Sequence, residues 1–215
     1  IVPTRRREDA KHLIMLPTVD VLEADIHDAR ALESLFAGAS AVINLVGILN
    51  EDGASTFERA HVELPRKVVA ACHTAGVARL LHMSALGADP TGPSRYLKSK
   101  AAAEAVVAAS GLRWTMFRPS VIFGREDTFL NLFARLSRAL PVVVLAAPNA
   151  RFQPIYVEDV AHCFVQSVGD DLTHDARYDL CGPAAYTLRD LVRYVGEVAG
   201  AVRPIVPLGP GLSRL

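Results

Sequence analysis

The sequence predicts an α/β fold built on a doubly wound parallel sheet. Three observations carry this expectation. Short strand-like runs alternate with segments of helical period almost without interruption, the pattern of parallel strands joined by crossover helices. Residues 41–46 form a near-continuous apolar run, as expected of a strand buried on both faces. The composition, 51% hydrophobic and 21% charged over 215 residues, supplies a core for one domain or one domain with a small appendage.

The elements follow in order. Residues 8–16 have a helical pattern ended by Pro17, and residues 19–24 read as a strand. Asp28 should cap a helix running to Phe36, with Gly38 closing it. After the strand at 41–46, Ser55 and Glu58 have capping-box spacing for a helix reaching Gly76. Pro65 lies inside that helix and should kink or restart it, because proline has no N–H and crowds the preceding turn. A strand at 79–83, a helix at 94–110 ended by Gly111, and a strand at 114–117 come next. A helix at 127–140, a short apolar strand at 141–145, a helix at 157–168, a strand at 178–180 and a helix at 187–199 complete the chain. Ile1 to Thr4 look like the end of a strand already in progress, no signal peptide precedes them, and residues 206–211 stop without a closing element. The chain therefore reads as a fragment cut at both ends.

Composition excludes several function classes. A formal net charge of zero gives no global field for collecting nucleic acid or acidic lipid. Three scattered cysteines (Cys72, Cys163 and Cys181) form no C-x-x-C pair, which argues against a disulfide framework and a zinc site and fits a reducing compartment. No metal site is expected. No apolar run approaches the roughly 20 residues of a membrane span. His82, His162 and Cys163 lie in apolar surroundings and read as core.

In a parallel sheet of this type ligands bind at the carboxyl ends of the strands. Topology alone thus selects Arg5, Asp25, Gly47, Ser84 and Pro119. Tyr96 and Lys100 stand four apart on one expected helix and share a face. An ammonium close to a phenol favours the phenolate and lowers its pKa, which prepares a tyrosine for proton transfer to a substrate hydroxyl or carbonyl. Ser84 stands where its hydroxyl can hold the same oxygen. An isolated Y-x-x-x-K is a weak signal. Here a strand, Ser84, a loop containing Gly87, Pro90, Gly92 and Pro93, and then the helix supply the context.

Residues 83–88 (Met-Ser-Ala-Leu-Gly-Ala), Ser94-x-Tyr96-x-x-x-Lys100-x-x-x-Glu104 and residues 117–124 (Phe-Arg-Pro-Ser-Val-Ile-Phe-Gly) resemble the extended and atypical short-chain dehydrogenase/reductase superfamily, the NAD-dependent epimerase/dehydratase type. Residues 2–6 and 44–49 are most similar to NAD(P)H-binding proteins related to an accessory subunit of respiratory complex I. The resemblance implies a Rossmann-type doubly wound parallel sheet lacking its first strand and glycine loop, with a small C-terminal substrate-side region. Residues 1–124 would be the partial NAD(P)-binding domain, and 125–215 the sheet completion and partial substrate-side region. It further implies Tyr96 as the acid/base, Lys100 as the group that lowers its pKa and contacts the nicotinamide ribose, and Ser84 as the residue that orients substrate. Pro119, Ser120 and Val121 would lie against the nicotinamide. Asp25 either meets the adenine or caps its own turn. Gly47 either admits a close approach of the cofactor or relieves crowding at the strand end. Arg5 and Arg6 either accommodate a ribose 2′-phosphate, favouring NADPH over NADH, or form a solvated cluster. Residues 152–160 are similar to the family's segment near the substrate pocket, although Asp159 equally suits a helix start.

Three features depart from the family pattern. No G-x-G-x-x-G precedes the first alternation, His61 to Pro65 replace the usual Asn and Gly-Thr, and Ser84 is followed by Ala85 where many active members carry a second hydroxyl. Two functions follow. One is an NAD(P)-binding oxidoreductase or epimerase-like enzyme acting on an unidentified small molecule. The other is a catalytically weak NADPH-binding module of a larger, respiratory complex I-like assembly. Nucleic acid is not an expected partner, and a homo-oligomer or a subunit role is. The expected location is cytoplasmic, or peripheral to the inner membrane through a partner complex.

Overall fold

The computed structural model describes residues 1–208, so Gly209 to Gly211 of the terminal stretch lie outside the described residues. The chain divides into two compact units, Ile1–Arg118 with Val165–Tyr178, and Pro119–Phe164 with the described residues from Asp179 onward.

The first unit opens with β1 (Val2–Thr4), a 3-10 turn (Arg7–Ala10), α1 (Lys11–Ile14) and β2 (Val21–Glu23). β1 and β2 pair in parallel, Val2 opposite Val21 and Thr4 opposite Glu23. Next come α2 (Ala29–Phe36), β3 (Ala41–Asn44), a π-helical segment (Arg59–Glu63) running into α3 (Leu64–Ala75), β4 (Arg79–Met83), α4 (Arg95–Ala108) and β5 (Arg113–Pro119). Beyond them lie β6 (Ile122–Phe123), α5 (Phe129–Ala139), β7 (Val143–Leu145), β8 (Arg151–Phe152), β9 (Ile155–Tyr156), α6 (Val157–Val168), β10 (Ala176–Leu180), β11 (Tyr186–Thr187), α7 (Leu188–Val198) and β12 (Ile205–Pro207). The central sheet has the order β10-β5-β4-β3. β3 and β4 run parallel, as do β4 and β5, so their carboxyl ends share one edge. The expected α/β architecture is thus present.

Local chemistry accounts for most boundaries. The Asp28 carboxylate accepts the Arg30 N–H at 2.9 Å and caps α2, while Gly38 takes the left-handed conformation (φ 75°) that ends it. Ser94 caps α4 through the Leu97 N–H. Thr187 and Asp190 form a reciprocal capping box at α7. The capping box expected from Ser55 and Glu58 is not formed. Ser55 pairs with Asp52 through backbone hydrogen bonds, and Thr56 Oγ1 receives the Arg59 N–H instead. Pro65 does not interrupt the helix: Glu63 and Leu64 keep helical backbone, and the winding passes from the π segment to α3 immediately before the proline.

One expectation about the core needs correction. β3 is not buried on both faces: Val42 and Asn44 are buried, but Ile43 is 43% exposed. β3 is the last strand of its sheet, and the packed face is the one carrying Val42. Val42 joins Leu32, Leu35 and Phe36 of α2, Leu64, Val68 and Cys72 of α3, and Trp114 and Met116 of β5 in the main core cluster. His162 is exposed rather than core, whereas His82 is buried as expected.

In the second unit Val143, Leu145 and Val192 form a small core with Phe133, Leu188 and Ile205. β12 pairs in parallel with β7, and β6 with β9.

Candidate active site

β4 and β5 lie side by side in register, Met83 opposite Phe117, and the Ser84 N–H donates to the Phe117 carbonyl at 2.7 Å. Between β4 and α4 the chain turns at Gly87, whose φ of 78° suits glycine alone, and the Asp89 carboxylate accepts the N–H and hydroxyl of Thr91. The loop delivers Ser94 to cap α4, and Tyr96 and Lys100 follow on that helix.

α4 is an unusual helix in what it buries. Ser99, Lys100 and Glu104 are all less than 10% exposed, alongside Ala103 and Val107. Charged residues are almost never buried unless paired. Each has a partner. Glu104 Oε1 accepts the Ser84 hydroxyl at 2.5 Å and Arg118 Nε at 2.7 Å, and Glu104 Oε2 accepts Arg118 Nη2 at 2.5 Å, with Arg177 Nε 3.5 Å away. Lys100 Nζ donates to the Met83 carbonyl at 3.1 Å. Burial lowers the Lys100 pKa to about 8, partly offset by the nearby Glu104 carboxylate.

Around Lys100 two imidazoles are held neutral. His61 is 1% exposed, and burial followed by the Lys100 charge lowers its pKa to about 4. His82 is lowered to about 3 by burial, then by Lys100 and His61. His82 Nδ1 pairs with Asn44 Nδ2 at 3.2 Å. A Cβ on Gly47 would lie 3.1 Å from Lys100 Nζ and 3.5 Å from His61 Nε2, so glycine here makes room for both bases.

The Tyr96 ring meets Phe57 edge-on at 5.9 Å and His61 edge-on at 5.6 Å, and Phe57 stacks on His61 at 5.5 Å. Among the described residues the Tyr96 hydroxyl has no hydrogen-bond partner. The depressed tyrosine pKa anticipated from the Tyr–Lys spacing is not found: burial pushes Tyr96 up, and the Lys100 ammonium is turned to the Met83 carbonyl.

The remaining sequence-selected residues are placed as follows. Ser84 is buried with its proton committed to Glu104, so its hydroxyl bonds within the fold. Arg5 and Arg6 are exposed just beyond β1, and Arg6 pairs with Asp9 at 3.1 Å. Asp25, just beyond β2, is exposed and accepts the His27 N–H at 2.8 Å, closing its own turn. Pro119 is buried at the end of β5, and the half-buried Ser120 and Val121 are held through their backbones, Ser120 N–H to Leu180 O at 2.9 Å and Val121 O from Ile155 N–H at 3.0 Å. His61, Phe57 and Ser99 were not selected from the sequence. The departure from the family pattern at residue 61 was the one visible signal. No group of His, Cys, Asp and Glu suited to a metal ion occurs among the described residues.

Residues 2–171 match the family model described as NAD(P)H-binding. The chain belongs to that NAD(P)H-binding family. Relatives include the mouse (Mus musculus) NADH dehydrogenase [ubiquinone] 1 alpha subcomplex subunit 9, mitochondrial, 36% identical over 87% of this chain and 51% of that protein. Another is the ceramide reductase of Caulobacter vibrioides, 31% identical over 90% of this chain and 61% of that protein. The chain thus spans roughly half to three-fifths of the length of these relatives. Among solved structures, the Thermus thermophilus UDP-glucose 4-epimerase in complex with NAD superposes with a TM-score of 0.74 at 23% identity, over 94% of this chain and 76% of that one. That likeness is one of fold, and it bears out the expected Rossmann-type α/β architecture.

Proposed function

We propose that the chain provides the nicotinamide side of an NAD(P)-dependent oxidoreductase or epimerase-like enzyme, with Tyr96 as acid/base and Lys100 as its cationic partner. One observation carries the reading. A buried lysine that spends one of three donors on the Met83 carbonyl stands one helical turn from a tyrosine whose hydroxyl is unpartnered among the described residues. A buried ammonium with spare donors calls for acceptors, and ribose hydroxyls fit that need. Pro119, Ser120 and Val121 are proposed to lie against the nicotinamide and Asp25 near the adenine, with Gly47 letting the protein backbone approach the cofactor closely. Ser84 enters as the residue that orients substrate or, given its bond to Glu104, as one that steadies α4.

A bound nicotinamide supplies or accepts the hydride. The chain's own residues manage the proton. Tyr96, pushed up by burial, is a phenol at neutral pH and donates to a substrate oxygen in the reducing direction. Lys100 favours the resulting phenolate once its ammonium is drawn from Met83 toward the ribose and the phenol. The deciding experiment measures dinucleotide bound to the purified full-length protein and its oxidation by a panel of carbonyl compounds. Absence of both rejects the reading.

Lys100 predicts a pH limb. Its charge is lost as pH rises through about 8, so reduced-cofactor affinity should fall above that pH and Lys100→Met should flatten the curve. Fluorescence titration of NADPH from neutral pH upward checks this. The stability effect runs the other way. Because folding depresses this pKa, the stabilising contribution of Lys100 is present above the ordinary lysine range and is lost as pH falls through about 8.

The proposed cofactor is NADPH rather than NADH. Arg5 is exposed beyond β1 and has no ion-pair partner among the described residues, which leaves its guanidinium available to a 2′-phosphate. Arg5→Ala combined with Arg6→Ala should weaken NADPH by about tenfold or more while leaving NADH within a few-fold, as read by calorimetric titration. Equal losses for both cofactors would reject the assignment.

The mouse relative favours a second reading, an NADPH-holding module of a respiratory complex I-like assembly with location at an inner membrane through that assembly. No helix among the described residues is long and apolar enough to cross a membrane. This reading predicts tightly held NADPH, co-purifying subunits, and no effect of Tyr96→Phe on either.

A further inference from the structure

Building on the acid/base reading, we infer that His61 is a positioning residue for Tyr96: a neutral imidazole, protonated on Nδ1, that ties the Gly47–Ile48 backbone to α4 and fixes the phenol ring. Hydrogen-bond direction sets the tautomer. The Ile48 N–H can only donate, and it reaches His61 Nε2 at 3.0 Å, so that nitrogen carries no proton. Nδ1 therefore bears the hydrogen and gives it to Ser99 Oγ at 2.8 Å. Ser99 passes its own proton to the Tyr96 carbonyl at 2.7 Å. Each donor is used once, and the chain ends on the backbone of the proposed acid/base.

The ring does a second job. His61, Phe57 and Tyr96 form a closed triangle of aromatic contacts, so the imidazole holds one side of the phenol directly. The helical turn carrying His61 is the π segment Arg59–Glu63, a geometry that recurs at functional sites. An aliphatic side chain would fill the same space but could neither accept from Ile48 nor donate to Ser99. Titratable groups in contact with His61 or coupled to it by charge are Lys100 and Tyr96 from α4 and His82 from β4. Phe57, Ile48 and Ser99, which touch it through the ring or by hydrogen bonds, carry no charge. Burial, and then the Lys100 ammonium, keep the imidazole neutral, as this network requires.

The test follows the Tyr96 titration by NMR in the full chain labelled at the tyrosine Cζ, with Tyr96→Phe assigning its signal among five. His61→Ala should admit water beside the phenol and bring the Tyr96 midpoint down toward about 10. Added imidazole should restore it, and the signals of Tyr156, Tyr178, Tyr186 and Tyr194 should stay still. A folded His61→Ala protein whose Tyr96 midpoint is unmoved, or is moved and not restored by imidazole, overturns the inference. Should His61→Ala fail to fold, His61→Gln keeps an acceptor for Ile48 and loses the ring. An unmoved Tyr96 midpoint in that variant also overturns it. The measurement needs neither substrate nor cofactor. Unchanged turnover in Tyr96→Phe would remove the acid/base reading and leave the His61 result to stand or fall alone.

Discussion

Tyr96→Phe is expected to lower carbonyl turnover by on the order of 10²–10⁴-fold, the span typical of a lost general acid. Reduced-cofactor affinity should stay within a few-fold, because the phenol ring and its contacts with Phe57 and His61 survive the change. Paired steady-state and binding measurements on the full-length protein separate the two effects. Equal falls in kcat and kcat/KM mark an interaction made only in the transition state. Turnover that persists in Tyr96→Phe would leave the cofactor-holding module as the better reading.

Glu104→Gln should carry a large stability cost, on the order of 3–5 kcal/mol. The carboxylate is 4% exposed and receives both donors of the Arg118 fork and the Ser84 hydroxyl. The amide keeps the volume but removes the charge and offers an N–H where an acceptor is needed. The Arg118 guanidinium then loses the charge it forks onto. Urea unfolding should show a lower midpoint with an unchanged slope, as expected when stability alone has altered. A midpoint within error of the parent would mean that solvent or Arg177 reorganisation replaces the pair. The effect also bears on the site, since Glu104 sits one turn beyond Lys100 and its charge raises the lysine's proton affinity.

Much of the fold was legible because its signals are local. Asp28, Ser94, Thr187, Gly38, Gly76 and Gly111 act within a few residues of where they stand, and the helix and strand boundaries follow them. The Ser55 capping box failed because Ser55 and Asp52 close a small bridge, which frees Thr56 to cap the helix. The burial of Ile43 failed because it depends on which strands flank β3, a non-local fact. Short pairs such as β8 with β11 went unseen for the same reason, since two-residue strands exist only through their partners.

The site shows the same division. Tyr96 and Lys100 share a helix face by spacing alone. The Ser84 hydroxyl goes to a carboxylate 20 residues later, and His61 reaches Ser99 across 38 residues. Neither distance is written in a local pattern. Arg79 is the clearest case. Its guanidinium joins Arg113 O, Thr115 Oγ1, Thr173 Oγ1 and Ser167 O, four groups between 34 and 94 residues away.

The π segment at Arg59–Glu63 also sets how this stretch of chain tolerates changes in length. A regular helix turns 100° per residue, and a π turn accommodates one residue beyond the regular count. Deleting one residue there would restore regular winding and leave the α3 face bearing Val68 and Cys72 still matched to the core. Because the π turn already absorbs the extra residue, Phe57 upstream would keep its facing as well, and the change would fall on the residues inside the turn, moving His61 off the phenol. The length of this span is therefore held by the chemistry at Tyr96 rather than by the core, and surviving sequence variants here should differ by substitution and not by insertion or loss.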